Sequence, residues 1–456
     1  MSNTGNSWTN NSGNNSGNNS FNRFDDDLSE VLITYLSIED KFRFECLSKQ
    51  WQRLVFNKEK QLTIDFRSDD QKLFTKDNNW VINSTKLESI LKKWSNLTAI
   101  HLLNDIENKE EVFQLILKYV KHLTKITANF ADLSETTLKQ FCHKFGSDLK
   151  SLKLSSVKGE SKDILRFCPN IEVLDFSYRF SDIFGENEIL LKRLKKICFR
   201  FTSCDEKSLH LFVDNYKYTL KTLKVRHSAK TSQEVNGLIG EIARLPKLNR
   251  LVILQSNESV DNSFVEQFSK IGENCRQLSS LEIQLNMNSS DVKYNLFKAL
   301  NKFESLEKLN LSLISTLESK PFVLTSKMLN KNLTHLTIDG FVCKGIPFDD
   351  QFFADIDKYL PKLQDLSLDC LDITDKTFES LSKLSDLSCI QFCGMTDTLI
   401  SKSVVMEVIR KCLKLNDIHF NNYRIAIHLI AGDIKLLRRK GLSECNVRVV
   451  AYNYEH

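Results

Sequence analysis

Proline is scarce in this chain of 456 residues, with five occurrences beside 14 glycines, so collagen-like and Pro/Gly-rich low-complexity classes are excluded. Long apolar runs are absent as well: no uncharged stretch approaches the roughly 18 residues of a membrane-spanning helix, and no apolar segment follows a basic start as in a secretory signal. The 12 cysteines have no paired spacing, which argues against a disulfide framework and points to a reducing compartment, cytoplasmic or nuclear. In that setting the N-x-S/T triplets, such as Asn96-Leu97-Thr98, follow from a composition rich in Asn and Ser. Charge is nearly balanced, 63 basic against 58 acidic residues, and a net +5 over this length is too mild to indicate a nucleic-acid partner.

Chemistry-bearing motifs are missing too. There is no phosphate-binding glycine loop, no H-E-x-x-H, no G-x-G-x-x-G after a strand and no C-x-x-C. Cys389 and Cys393 are spaced C-x-x-x-C but fall on strand-like positions, and one pair cannot complete a zinc site. The nine histidines are dispersed. His101 and His419 each sit between inward apolar residues of a strand pattern, with no nucleophile or acid placed nearby for catalysis. The expectation is a protein that is not an enzyme and needs neither metal nor cofactor.

What is present begins with residues 1–22, an Asn/Ser/Gly tail too poor in apolar groups to offset the entropy of ordering, and hence expected to be disordered. Residues 23–56 then change character. Leu28, Val31, Leu32, Tyr35 and Leu36 recur at helical spacing behind Asp25, Asp26 and Asp27, which suit a helix N-terminus. Ser37 and Asp40 form an S-x-x-D box opening a second helix with Phe42, Cys46 and Leu47 on one face; Ser48 opens a third carrying Trp51, Leu54 and Val55. Three helices this short cannot cover so many large apolar groups alone, so some must meet the following chain or another protein.

This stretch resembles an F-box, the module that docks on the Skp adaptor of cullin-based ubiquitin ligases. Aligned on Leu36, Phe24 stands at the family's usual leucine, Asp25 at its proline, Asp27 at its acid and Leu32 at its isoleucine, and Leu47 and Trp51 take the closing V-x-x-x-W places. The resemblance implies adaptor contacts through Phe24, Leu28, Leu32, Leu36, Phe42, Leu47 and Trp51.

Residues 57–96 alternate like a strand at Leu62, Ile64 and Phe66 and recur like a helix at Leu87, Ile90, Leu91 and Trp94, and are expected to cap the array that begins at Leu97. From 97 to 420 that array repeats one unit, L-x-x-L-x-L, from Leu97/Ile100/Leu102 to Leu415/Ile418/Phe420, with Leu123/Ile126/Ala128 as a weaker copy. Thirteen units recur about every 26 residues, inside the range of roughly 20 to 29 for leucine-rich repeats. Helical stretches such as Val112, Leu115, Ile116 and Tyr119, or Phe264, Phe268 and Ile271, separate them. Pro169, Pro246 and Pro361 each fall two residues before a unit's first apolar residue, where a helix must end.

The array resembles the leucine-rich repeats found in one branch of F-box proteins. Since no unit can bury its own apolar edges, the fold expected is α/β: a three-helix module followed by a solenoid with a curved parallel sheet inside and helices outside. The family's Asn or Cys two places after the third apolar residue is degenerate here, Cys370 being one place early. Residues 421–456, with a helical run over 425–439 and an alternating tail at Cys445, Val447 and Val449, read as a C-terminal cap, and the basic run from Lys435 to Lys440 as a solvated helix end.

Strand alternation locates a binding surface. The residue between a unit's second and third apolar positions points away from the core, placing His101, Thr127, Lys153, Asp175, Cys198, Lys224, Val252, Glu282, Asn310, Thr337, Ser367, Gln391 and His419 in one row. Arg200, Arg226, Asp339 and Asp369 flank it. The early half is basic and the later half acidic. Candidate substrate-binding residues are therefore Lys153, Asp175, Arg200, Lys224, Arg226, Glu282, Asp339 and Asp369, with the basic group facing a partner's acidic side chains. The two resemblances together imply a substrate receptor of a Skp-cullin-F-box ubiquitin ligase that tethers an unidentified protein target without catalysis. A scaffold or inhibitor using the repeats alone is the alternative.

Overall fold

A computed structural model describes residues 26–36, 40–41, 49–58, 60–64, 82–94, 96–102, 106–130, 133–154, 161–184, 190–201, 206–227, 231–254, 259–314, 324–340, 348–369, 371–393, 400–421 and 448–452. The expected tail, Phe24, Asp25, most of the second module helix with Phe42 and Leu47, the phase of Cys370, and the run over 425–439 lie outside them. The chain forms two compact units, 1–149 and 150–456. In the first, strands β1 (Gln61–Ile64), β2 (Ala99–Leu102) and β3 (Lys125–Ala128) pair in parallel in that order. The helices Asp26–Thr34, Lys49–Lys58, Ser84–Lys93, Lys109–Tyr119 and Glu135–Phe145 belong to the same unit.

The second unit repeats one pattern. Its strands are β4 (Ser151–Leu154), β5 (Val173–Arg179), β6 (Lys196–Phe201), β7 (Thr222–His227), β8 (Arg250–Leu254) and β9 (Ser280–Asn286). They continue through β10 (Lys308–Ile314), β11 (His335–Asp339), β12 (Phe348–Asp349), β13 (Asp365–Asp369), β14 (Leu371–Asp372), β15 (Cys389–Cys393), β16 (Asp417–Asn421) and β17 (Arg448–Tyr452). All but β12 and β14, which pair with each other, lie side by side in chain order in a parallel sheet. Parallel neighbours need a crossover, and helices such as Glu206–Tyr216, Asn262–Asn274, Ser290–Leu300 and Lys402–Lys411 supply it. This is a leucine-rich-repeat fold.

The repeat phase read from the sequence is the phase of the core. All three apolar positions of every unit are buried, Leu102 being the most accessible at 5 %, with only the Phe420 side chain outside the described residues. The weak unit Leu123/Ile126/Ala128 is buried as fully as the others. Phenylalanines fill the layer between sheet and helices: Phe180 lies 4.4 Å from Phe199 and 5.2 Å from Phe212, and Phe113, Phe130 and Phe141 form a second cluster in the first unit. Burial of each large side chain contributes about 1.5–3 kcal/mol, which an isolated unit would forgo at both open edges.

Backbone and side-chain locks join successive units. The carbonyl of Lys195 accepts from the N–H groups of Lys221 and Thr222, that of Lys221 from Asn249 and Arg250, and that of Asn249 from Ser279 and Ser280; the pattern continues to Ser388. Because these bonds need no particular side chain, the stack tolerates a degenerate consensus. Carboxylates add a second lock: Asp350 accepts from Thr374 N at 3.0 Å, Thr374 Oγ1 at 2.6 Å and Thr377 Oγ1 at 2.7 Å. Glu110 holds Ser134 and Thr137 in the same way. Helices pack closely at Gly272, where an added Cβ would lie 2.8 Å from Lys302 Cβ and 3.0 Å from its backbone carbon.

Candidate functional site

Two surfaces carry exposed groups that the core does not use. The first is on the helix Asp26–Thr34, where Asp26 and Asp27 occupy the first turn and favour the N-terminus. Arg53 reaches Asp26 at 2.7 Å and fixes this helix to Lys49–Lys58. Ser29 and Ile33 are buried, whereas Leu28, Val31, Leu32 and Tyr35 are 45, 52, 38 and 82 % exposed. Their spacing of i, i+3, i+4 and i+7 makes one apolar stripe facing solvent. Of the expected adaptor contacts, Leu28 and Leu32 are on this stripe and Leu36 is half-buried beyond it. Trp51 is elsewhere: it is 5 % exposed, on the helix Lys49–Lys58 that also carries buried Leu54, Val55 and Phe56, and Phe56 meets Trp94 edge-on at 6.3 Å. Val31 and Tyr35, which are not among the expected contacts, share the stripe, as their spacing with Leu28 indicates.

The second surface is the sheet face of residues 150–456. Strand register places Lys153, Asp175, Cys198, Lys224, Val252, Glu282, Asn310, Thr337, Ser367, Gln391 and His419 at laterally matched positions on consecutive strands. In the first unit His101 and Thr127 are paired likewise, with His101 Nδ1 2.9 Å from Thr127 Oγ1. Not all of the row is open. Cys198 and Val252 are 4 and 2 % exposed, short side chains flanked by longer ones on both neighbouring strands. Burial, then the charge of Asp175, pushes the Cys198 thiol up to about 11, so it is no nucleophile at neutral pH.

The charge gradient has a definite geometry. Arg200 on β6 and Arg226 on β7 are directly opposite, and Lys224 lies two residues before Arg226. Like charges across neighbouring strands repel. The side chains of Arg200, Lys224 and Arg226 make no hydrogen bond or ion pair among the described residues, while Lys153 is 3.9 Å from Asp175 and Arg250 is 3.4 Å from Glu282. Toward the other end, Asp339 on β11 meets Asp369 on β13. Burial first, then the hydrogen bond and negative charge of Asp369, push Asp339 up to about 7. Its Oδ1 is buried and accepts no hydrogen bond among the described residues. One row before that of Thr337 and Ser367, His335 pairs with Asp365 at 2.8 Å, and Lys196 and Arg250 are exposed. Sequence reasoning omitted this earlier row, yet the same alternation, carried two residues toward the N-terminus, identifies it.

Cys389 and Cys393 both lie on β15. Among the described residues no cluster of three or more His, Cys, Asp or Glu could hold a metal ion, and no helix is long and apolar enough to cross a membrane.

No family model and no curated protein matches the sequence. Several solved structures are similar to the chain at low identity. The Rad7–Elc1 complex from yeast matches at 16 % identity over 88 % of this chain and 94 % of that one, with a TM-score of 0.42. The Toll–Spatzle complex from Drosophila matches at 12 % identity over 82 % and 51 %, TM-score 0.40. The TLR13–ssRNA13 complex matches at 14 % over 76 % and 52 %, TM-score 0.43. This chain thus spans about half the length of the Toll and TLR13 chains, and the likeness is one of fold.

Proposed function

We propose that this chain is the substrate receptor of a Skp-cullin-F-box ubiquitin ligase, non-catalytic and acting by tethering. The observation that carries the reading is the exposed stripe of Leu28, Val31, Leu32 and Tyr35 in the segment that resembles an F-box. Large apolar groups in one exposed row favour a protein partner. The sheet face would hold the target, so that its lysines meet activated ubiquitin at a raised effective concentration. Rigid repeats suit that task, because tethering works only when the linked partners can reach each other.

Co-purification of the full chain with the Skp adaptor tests this. A stoichiometric complex that Leu32→Asp abolishes, with the circular-dichroism spectrum and melting temperature unchanged, is the expected outcome. No complex with the natural sequence would overturn the receptor reading.

One observation favours a second reading, a repeat scaffold or inhibitor whose helical module is only an N-terminal cap. Trp51, expected at the adaptor contact, is buried with Leu54, Val55 and Phe56. Under that reading Leu32→Asp leaves partner binding unaltered, and Trp51→Ala unfolds the first unit without any separate effect on an adaptor.

A further inference from the structure

The sheet face of residues 150–456 has two poles. At one, Arg200 and Arg226 are opposed on neighbouring strands with Lys224 beside them, and no acid among the described residues neutralises them. At the other, Asp339 and Asp369 bring two carboxyl groups together. The first pole opposes like charges, and the second sets two carboxyl groups against each other. Between them the two rows that carry Lys224 and Arg226 hold no charge apart from Glu282, which Arg250 pairs: Leu254 and Val252 on β8 lie level with Arg226 and Lys224, followed by Gln284, Ser312 and Asn310.

We infer that this face binds an extended segment of a target protein laid across the strands, with two acidic side chains on Arg200 and Arg226 and a lysine or arginine on the Asp339–Asp369 pair. Dimensions support it. Four strand intervals separate β7 from β11, about 19 Å at roughly 4.8 Å each, and an extended chain covers that in about six residues at roughly 3.3 Å per residue. Side chains on the same side of an extended segment recur every second residue, so acids at alternate positions meet neighbouring strands. Each guanidinium forks onto one carboxylate, so two arginines select two acids. A cation over Asp339 and Asp369 replaces the proton that burial and mutual repulsion otherwise retain there. The expected motif is acid-x-acid followed about six residues later by a basic residue. The acidic pole would repel a nucleic-acid backbone, which sets a protein segment above an oligonucleotide as the occupant.

The inference deepens the receptor reading and rests on it for the existence of a target. The two are separable: adaptor co-purification reports on the helix Asp26–Thr34, and peptide binding reports on the sheet. The probe is a fluorescein-labelled Ser/Gly peptide with that motif, titrated into the full chain and followed by anisotropy. Expected is binding that weakens on the order of tenfold on losing either the acid pair or the lysine, and likewise in Arg226→Ala and, for the lysine-bearing peptide only, Asp369→Asn. Moving the lysine next to the acids should remove its contribution. Unchanged melting temperatures keep the variants interpretable. Binding indifferent to spacing or to both variants, equal displacement by oligothymidylate, preference for a single phosphoserine with no need of the acid pair, or no binding at millimolar peptide would each overturn the inference.

Discussion

On the helix side of the repeats Asp350 is surrounded by donors; on the sheet side Asp339 is set against another acid. Burial raises the pKa of both, but hydrogen bonds from Thr374 and Thr377 more than compensate at Asp350 and leave it below the usual carboxylate range. At Asp339 the neighbour Asp369 adds to burial, and the value rises to about 7. The same division holds for cations. Arg244 on the helix side is bound to Asp214 and Glu241, and His210 lies 3.0 Å from Glu241. Arg200 and Arg226 on the sheet side have each other instead. On the sheet face Lys153, Arg250 and His335 do have acidic partners, so the contrast with the helix side is confined to Arg200, Lys224, Arg226 and the Asp339–Asp369 pair.

The sharpest way to break that comparison is to remove a helix-side acceptor. Asp350→Ala leaves Thr374 N and two hydroxyl groups without their acceptor, and should lower the unfolding free energy by about 2–3 kcal/mol, read from urea denaturation. The contribution of Asp350 is present above the ordinary carboxylate pKa and is lost as pH falls through its lowered value, so the variant and the natural chain should converge in acid. Next in size is Gly272→Ala on the same side. Its Cβ would meet Lys302 and Phe303 at 2.8 and 2.9 Å, and the expected loss is about 1–2 kcal/mol in the same measurement.

Much of this division is legible in the sequence. The alternation within L-x-x-L-x-L places Lys153, Arg200, Lys224, Arg226, Asp339 and Asp369 on one face, because strand period leaves no other direction for them. What alternation does not contain is lateral pairing. Unit lengths vary, so that Asp350 reaches Thr374 across 24 residues depends on how two particular loops close. Direction alone does not decide exposure either: Cys198 and Val252 are in the row yet buried, since a short side chain between long ones is covered whatever its direction. In the helical module, periodicity identifies the stripe of Leu28, Val31, Leu32 and Tyr35, but it cannot divide the module's apolar groups between a partner and the chain's own core, where Trp51 resides.

On the sheet side the effect of pH is opposite in sign. Asp339 titrates at about 7 in the folded chain, above its ordinary value of 3.8. The folded state therefore holds a proton that the unfolded state has released, and stability from this pair declines as pH rises from about 4 to about 7. The groups facing it are Asp369 on one neighbouring strand and Ser312 on the other. Asp339→Asn should be more stable than the natural chain at pH values above this window and lose the decline across it, which urea midpoints measured on both sides of the window would register. Equal pH slopes in both proteins would show that the pair is not strained.

The smallest effect is expected for Arg226→Glu, and it bears most directly on why the sheet face is built as it is. The substitution turns an opposed like-charge pair with Arg200 into an opposed opposite-charge pair, a change expected to gain about 0.2–1 kcal/mol in low salt and less as salt screens it. A surface shaped only by solvation would have no reason to forgo so accessible a gain, since one charge change supplies it. If the variant is the more stable protein while binding the acidic peptide less well, the arginine pair is retained for a ligand at a cost to the fold. If it is less stable, Arg226 makes an internal contribution, and the opposed arginines are not a cost to the fold.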